Sequence, residues 1–134
     1  MNINPGSKEN QLNNLSSQVI GAAIKVHTAL GLGILESAYE ACLAYELNQR
    51  KVQIKSQVAL PIIYDGQKID AGYRIDLLVE NSLIVELKAV DKVSNIHKTQ
   101  LLSYLKLSDL RLGLLINFNV PRLKEGIHRI VNKF

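Results

Sequence analysis

Asp76 and the triplet Glu86-Leu87-Lys88 are the residues whose types and spacing suggest chemistry. On a strand, residues two apart share a face, so Glu86 and Lys88 project together while Leu87 points into the opposite layer. Their flanks, Leu83-Ile84-Val85 and Ala89-Val90, are apolar. Charges in such a stretch are costly to bury without a reason. A hard divalent cation is one such reason. Mg2+ prefers oxygen ligands and keeps several waters. Asp76, Glu86 and the backbone carbonyl of Leu87 would hold Mg2+ (or Mn2+) and leave places for water and a phosphate oxygen. Such an ion acidifies bound water and offsets charge on a phosphorane. Lys88 would orient the attacking water or stabilise the developing negative charge. The expected chemistry is hydrolysis of a phosphodiester. Without metal, Glu86 and Lys88 would pair with each other.

Register constrains this arrangement. Directly opposed residues of an antiparallel pair share a face. A plain two-residue hairpin at Asn81-Ser82 would set Asp76 opposite Leu87, on the wrong side. Asp76 meets Glu86 only if the loop has three residues, Glu80-Asn81-Ser82, or if one strand carries a bulge. One of these is predicted.

The elements that must position the site follow from periodicity. Residues 1–11 read as a polar, flexible tail, and 12–134 as a single domain. Leu15, Val19, Ala22, Ala23 and Val26 form one helical stripe, which should stop near Leu30 because Gly31 and Gly33 follow. A second helix is expected from Leu35 or Glu36 to about Gln49. Val52, Ile54, Val58, Leu60 and Ile62 alternate as in strands, and Asp65-Gly66 is a turn signal. Tyr73–Val79 and Leu83–Val90 read as two further strands. Ser94 is placed to cap a helix over Asn95–Leu107. Leu112–Phe118 is apolar enough for a buried strand, and Ile127–Val131 makes a last short one. This order predicts an α/β domain, a mixed β-sheet flanked by helices.

Asp, a gap, then Glu-x-Lys on adjacent strands resembles the PD-(D/E)XK nuclease superfamily, with Ile75 in place of the nominal proline. The order helix, three strands, helix, strand resembles that superfamily's core. A more specific resemblance runs from Leu15 to Ile130. The segment Gly33-Ile34-Leu35-Glu36-Ser37-Ala38-Tyr39 is similar to the signature of the GxxExxY protein family. So are His27, Tyr73–Val79, Ile84–Ala89, His97, Gln100, Tyr104 and Leu115–Phe118. The resemblance implies a restriction-endonuclease-like core and a metal-dependent nuclease site.

It also implies roles for further residues. Glu36 would be a third acidic group near the metal, although a carboxylate at a helix start also suits the helix dipole. Tyr39 lies one turn later, either lining the site or packing in the core. His97, Gln100 and Tyr104 share one helix face. Gln100 and Tyr104 resemble the Gln-x-x-x-Tyr element of exonuclease-like members, which lines the active site; the alternative is polar groups at a sheet edge. His27 either faces the site or serves as a cap or core residue. Arg74 shares the face of Asp76 under strict alternation, and would hold a phosphate or pair with a carboxylate.

Composition bounds the rest. The 47% hydrophobic and 21% charged content is that of an ordinary globular domain. Aromatics are 5%, without Trp, which argues against a stacking platform for single-stranded bases. Cys42 is the only cysteine, so no disulfide and no cysteine-type zinc site can form within the chain. No signal peptide and no membrane-length apolar run is apparent, so a cytoplasmic location is expected. Residues 68–134 hold eleven of the sixteen Lys/Arg and seven of the twelve Asp/Glu, which places the whole net charge of +4 there. A basic half suits DNA or RNA as partner. Sequence specificity would need a partner protein or a homodimer. The competing reading is a non-catalytic nucleic-acid- or protein-binding module that retained the nuclease fold.

Overall fold

The computed structural model describes residues 7–133. Helix α1 covers Lys8–Leu30, starting earlier than the periodicity suggested. Ser7 is its N-cap and accepts from the Asn10 N–H at 3.0 Å. Leu12 extends the buried stripe by one turn, which makes these polar turns worth ordering. Most of the expected tail, residues 1–6, lies outside the described residues.

Helix α2 spans Glu36–Gln49 and packs against α1. Strands β1 (Ile54–Ala59), β2 (Ile62–Tyr64) and β3 (Gln67–Ile69) follow. β2 and β3 form a separate hairpin. Its turn residues Asp65 and Gly66 have φ of 52° and 74°, the paired positive angles of a tight hairpin. Then come β4 (Arg74–Val79), β5 (Leu83–Lys88), α3 (Asn95–Ser108), β6 (Leu112–Asn117), a short 3-10 turn at Leu123–Gly126 and β7 (Ile127–Val131).

Five strands make the main sheet in the order β1-β4-β5-β6-β7. Only β5 and β6 are parallel, joined through α3. The central strands β5 and β6 are buried on both faces. On one side Leu77, Val79, Leu83, Val85 and Leu87 meet Val19, Ala23, Leu43 and Leu47 of α1 and α2. On the other, Ile75, Ile84 and Leu115 meet Leu101, Tyr104 and Leu105 of α3. Gly113 of β6 lets α3 approach, since a Cβ there would lie 2.9 Å from Leu101 Cδ1. Among the described residues no helix is long and apolar enough to cross a membrane.

Candidate active site

Leu77 pairs with Val85 and Val79 with Leu83, so the loop between β4 and β5 is the three residues Glu80-Asn81-Ser82. Glu80 and Asn81 have φ of 50° and 54°, and the Ser82 N–H donates to the Val79 carbonyl at 3.0 Å. Continued by one step, this register sets Asp76 opposite Glu86. There the two carboxylates take over the backbone donors. The Asp76 N–H donates to Glu86 Oε2 at 2.8 Å, and the Leu87 N–H donates to Asp76 Oδ2 at 2.9 Å.

β4 turns over at this point. Leu77 and Val79 pack toward α1 and α2, whereas Ile75 packs toward α3. Strict alternation therefore fails at Asp76, and Arg74 does not inherit its facing. Arg74 is exposed, pairs with Asp70 at 3.2 Å and donates to the Tyr73 carbonyl at 2.8 Å. Gln57, inside β1, has φ 52° and sits in register with Asp76, between the pairs Ser56–Leu77 and Val58–Ile75. Its amide donates to Asp76 Oδ1 at 3.2 Å and to Glu40 Oε1 at 2.9 Å. Glu40 of α2 thereby joins the site. The sequence reading missed both residues. Glu40 lies one helical turn after Glu36, a spacing that puts both on one face; Gln57 carried no comparable signal.

Two of the carboxylates, Glu86 and Glu40, have raised proton affinity. Glu86 is 6% exposed. Burial first, and then the charge of Asp76, push its pKa up to about 8, against the Asp76 N–H and the Lys88 charge. Glu40 is raised by burial, then by Asp76, with Gln57 opposing. Glu36 is exposed at the start of α2, and its charge reaches both Glu86 and Glu40. Tyr104 is 6% exposed, and burial, then Glu86, raise its phenol pKa.

Lys88 does not pair with Glu86. Among the described residues the ion pairs are Lys25–Glu46 and Arg74–Asp70, which leaves the Lys88 ammonium uncommitted. Gln100 and His97 lie partly buried on α3, lining a groove with Tyr104. His97 also has a capping duty, as its Nδ1 accepts from the Ser94 N–H at 3.1 Å.

Two expected residues lie apart from this cluster. His27 Nε2 meets the Val120 carbonyl at 2.8 Å, which ties α1 to the loop after β6. Tyr39 is fully buried, stacked on Phe118 with centroids 4.4 Å apart. Its hydroxyl donates to the Gly31 carbonyl at 2.5 Å. Both hold the framework, and Tyr39 fixes the turn that delivers Glu36.

The donor set can be weighed against a metal. Among the described residues no three acidic, histidine or cysteine side chains converge into a ready-made cage. Asp76 and Glu86 are two hard oxygen donors, with the Leu87 side chain fully buried and only its backbone on offer. Among the described residues no hydrogen bond reaches Glu86 Oε1 and no fully buried side-chain polar atom lacks a partner, so Oε1 is not wholly closed off from solvent. Two adjacent carboxylates, Asp76 half-buried and Glu86 buried, suit Mg2+, which is usually bound through one or two carboxylates, waters and substrate phosphates.

A five-stranded mixed sheet between helices, with an acidic pair where β4 and β5 part, defines a restriction-endonuclease-like α/β domain. A family model described as PD-(D/E)XK nuclease superfamily matches residues 13–130, and the chain belongs to that superfamily. No curated protein and no solved structure matches it.

Proposed function

We propose that the protein is a divalent-metal-dependent nuclease, of the GxxExxY kind, that hydrolyses phosphodiester bonds of DNA or RNA with Mg2+ or Mn2+. The observation that carries this reading is the exchange between Asp76 and Glu86, which holds two carboxylates side by side at an opening of the sheet. A cation bound there supplies Lewis acidity toward water and phosphate. Asp76 and Glu86 would hold it, with the Leu87 carbonyl as a further donor. Gln57 fixes Asp76 from one side, and Glu36 and Glu40 add negative potential behind it. Lys88 lies two residues after Glu86 on β5, and its charge acts on that carboxylate. Its ammonium orients the attacking water or stabilises charge on the phosphate oxygens. Gln100 and Tyr104 border the place where the substrate enters.

Calorimetry with Mg2+ or Mn2+, on wild type and Glu86→Ala, tests the metal assignment. Binding to wild type and its loss in the variant is expected; equal affinity removes the assignment. Cleavage of DNA and RNA, with Lys88→Ala as control, then separates an enzyme from a binding module. Activity surviving Lys88→Ala would identify a contaminant.

A further inference from the structure

We infer that the groove between α3 and the β2–β3 hairpin receives an unpaired nucleobase, so that the substrate strand is single-stranded where it crosses the site. The inference rests on the nuclease reading and names the form of its substrate. The groove has a volume of about 600 Å³, with walls from Ile62, Tyr73, Ile96, Gln100, Ser103 and Tyr104. That is within the range of small-molecule sites.

Its chemistry is that of a base. Tyr73 and Tyr104 meet edge to face, with centroids 5.8 Å apart. Tyr73 remains 38% exposed and Ile96 70%, so an aromatic and an aliphatic surface face solvent together. Gln100 and Ser103, from α3, offer an amide and a hydroxyl for the polar edge of a base. The scarcity of aromatics argued against a stacking platform, but the fold brings two of the five tyrosines to one place.

Position ties the groove to the chemistry. Tyr104 packs with Ile75, the neighbour of Asp76, and with Ile84, two residues before Glu86 on one strand face. Tyr73 lies three residues before Asp76, about 10 Å along an extended chain. Charge favours this exit as well. The α2 side carries Glu36 and Glu40, which repel a phosphodiester chain. Helix α3 carries no carboxylate, and no Asp or Glu lines the groove. A base inside a duplex cannot reach such a groove without leaving its stack, at a cost that is least for a strand already single.

The test measures binding apart from cleavage. Fluorescence anisotropy in Mg2+, in a Lys88→Ala background, compares oligothymidylate, oligouridylate, an abasic phosphodiester chain of the same length and a blunt duplex. Oligothymidylate or oligouridylate is expected to bind about 10-fold tighter than the abasic chain, as one stacked base provides. Whichever of the two binds tighter identifies DNA or RNA. Tyr73→Ala should abolish that difference, Tyr73→Phe should keep it, and neither should alter abasic binding. Equal affinity for duplex and single strand, or an equal loss on abasic and base-bearing chains in Tyr73→Ala, would overturn the inference. If wild type cleaves nucleic acid but the Tyr73 variants bind like their parent, the groove assignment fails and the nuclease reading stands. A Tyr73-dependent preference without cleavage gives the reverse.

Discussion

Glu86→Gln should stabilise the metal-free protein while abolishing metal binding at the proposed site. Glu86 has its pKa pushed from 4.5 up to about 8, chiefly by burial and then by Asp76. An acid whose folded pKa exceeds its unfolded one holds its proton more tightly when folded. It costs the native state nothing extra below about pH 4.5, costs progressively more up to about pH 8, and the full amount above that. At about 1.4 kcal/mol per pH unit, the interval from 4.5 to about 8 sets a ceiling of about 5 kcal/mol. Solvent access at Oε1 lowers the effective penalty, so about 2–3 kcal/mol is expected. Glutamine keeps the shape, stays neutral, and its amide oxygen still accepts from the Asp76 N–H. For a chain of this length 1 kcal/mol moves the melting temperature by about 3–4 °C, so Glu86→Gln should melt about 7–10 °C above wild type at about pH 8.5 in chelator. The gap should close toward about pH 4.5. Millimolar Mg2+ should raise the wild type's melting temperature and leave the variant's unchanged. Thermal melts of both proteins across pH test this. A variant no more stable than wild type at high pH, or a gap independent of pH, would refute the reasoning.

Lys88→Ala should lower the cleavage rate by about 100-fold or more while Mg2+ affinity by calorimetry stays within about 3-fold. Tyr39→Phe removes the hydroxyl that holds the Gly31 carbonyl and should cost about 1–2 kcal/mol in urea melts, with the stack on Phe118 retained. Gly126→Ala would place a Cβ against the carbonyl oxygen of Asn117, only 2.1 Å away. It should destabilise by at least about 3 kcal/mol or give no soluble protein, as judged by circular dichroism.

The parts of the site set by period and register were legible in the sequence. Hydrophobic alternation located β4 and β5. The requirement that two carboxylates share a face left either the loop Glu80-Asn81-Ser82 or a bulge, because a one-residue slip would have put Asp76 out of reach of Glu86, and the pairing of Val79 with Leu83 decides for the loop. What escaped depended on local departures from regular geometry. Gln57 enters the site through a positive φ inside a strand, a conformation that no residue pattern announces for a non-glycine. The change of facing at Asp76 likewise defeated the expected facing of Arg74, since it arises where side chains replace ladder hydrogen bonds, although Arg74 does pair with a carboxylate, that of Asp70. His27 and Tyr39 belong to the family resemblance, yet their bonds to Val120 and Gly31 secure loops. A residue shared among relatives can thus be retained for the framework that carries a site.

The reciprocal bonds between Asp76 and Glu86 bear on how such a domain ages. Each carboxylate occupies a main-chain amide of the neighbouring strand, so losing either one strands a donor inside the protein and weakens the seam between β4 and β5. Selection for folding alone would preserve an acceptor for each amide at these positions, glutamine at Glu86 included, in a descendant without activity. The Lys88 side chain carries no such structural duty, so on the proposed reading its substitution across lineages would be the mark that separates inactive copies of this domain from active ones.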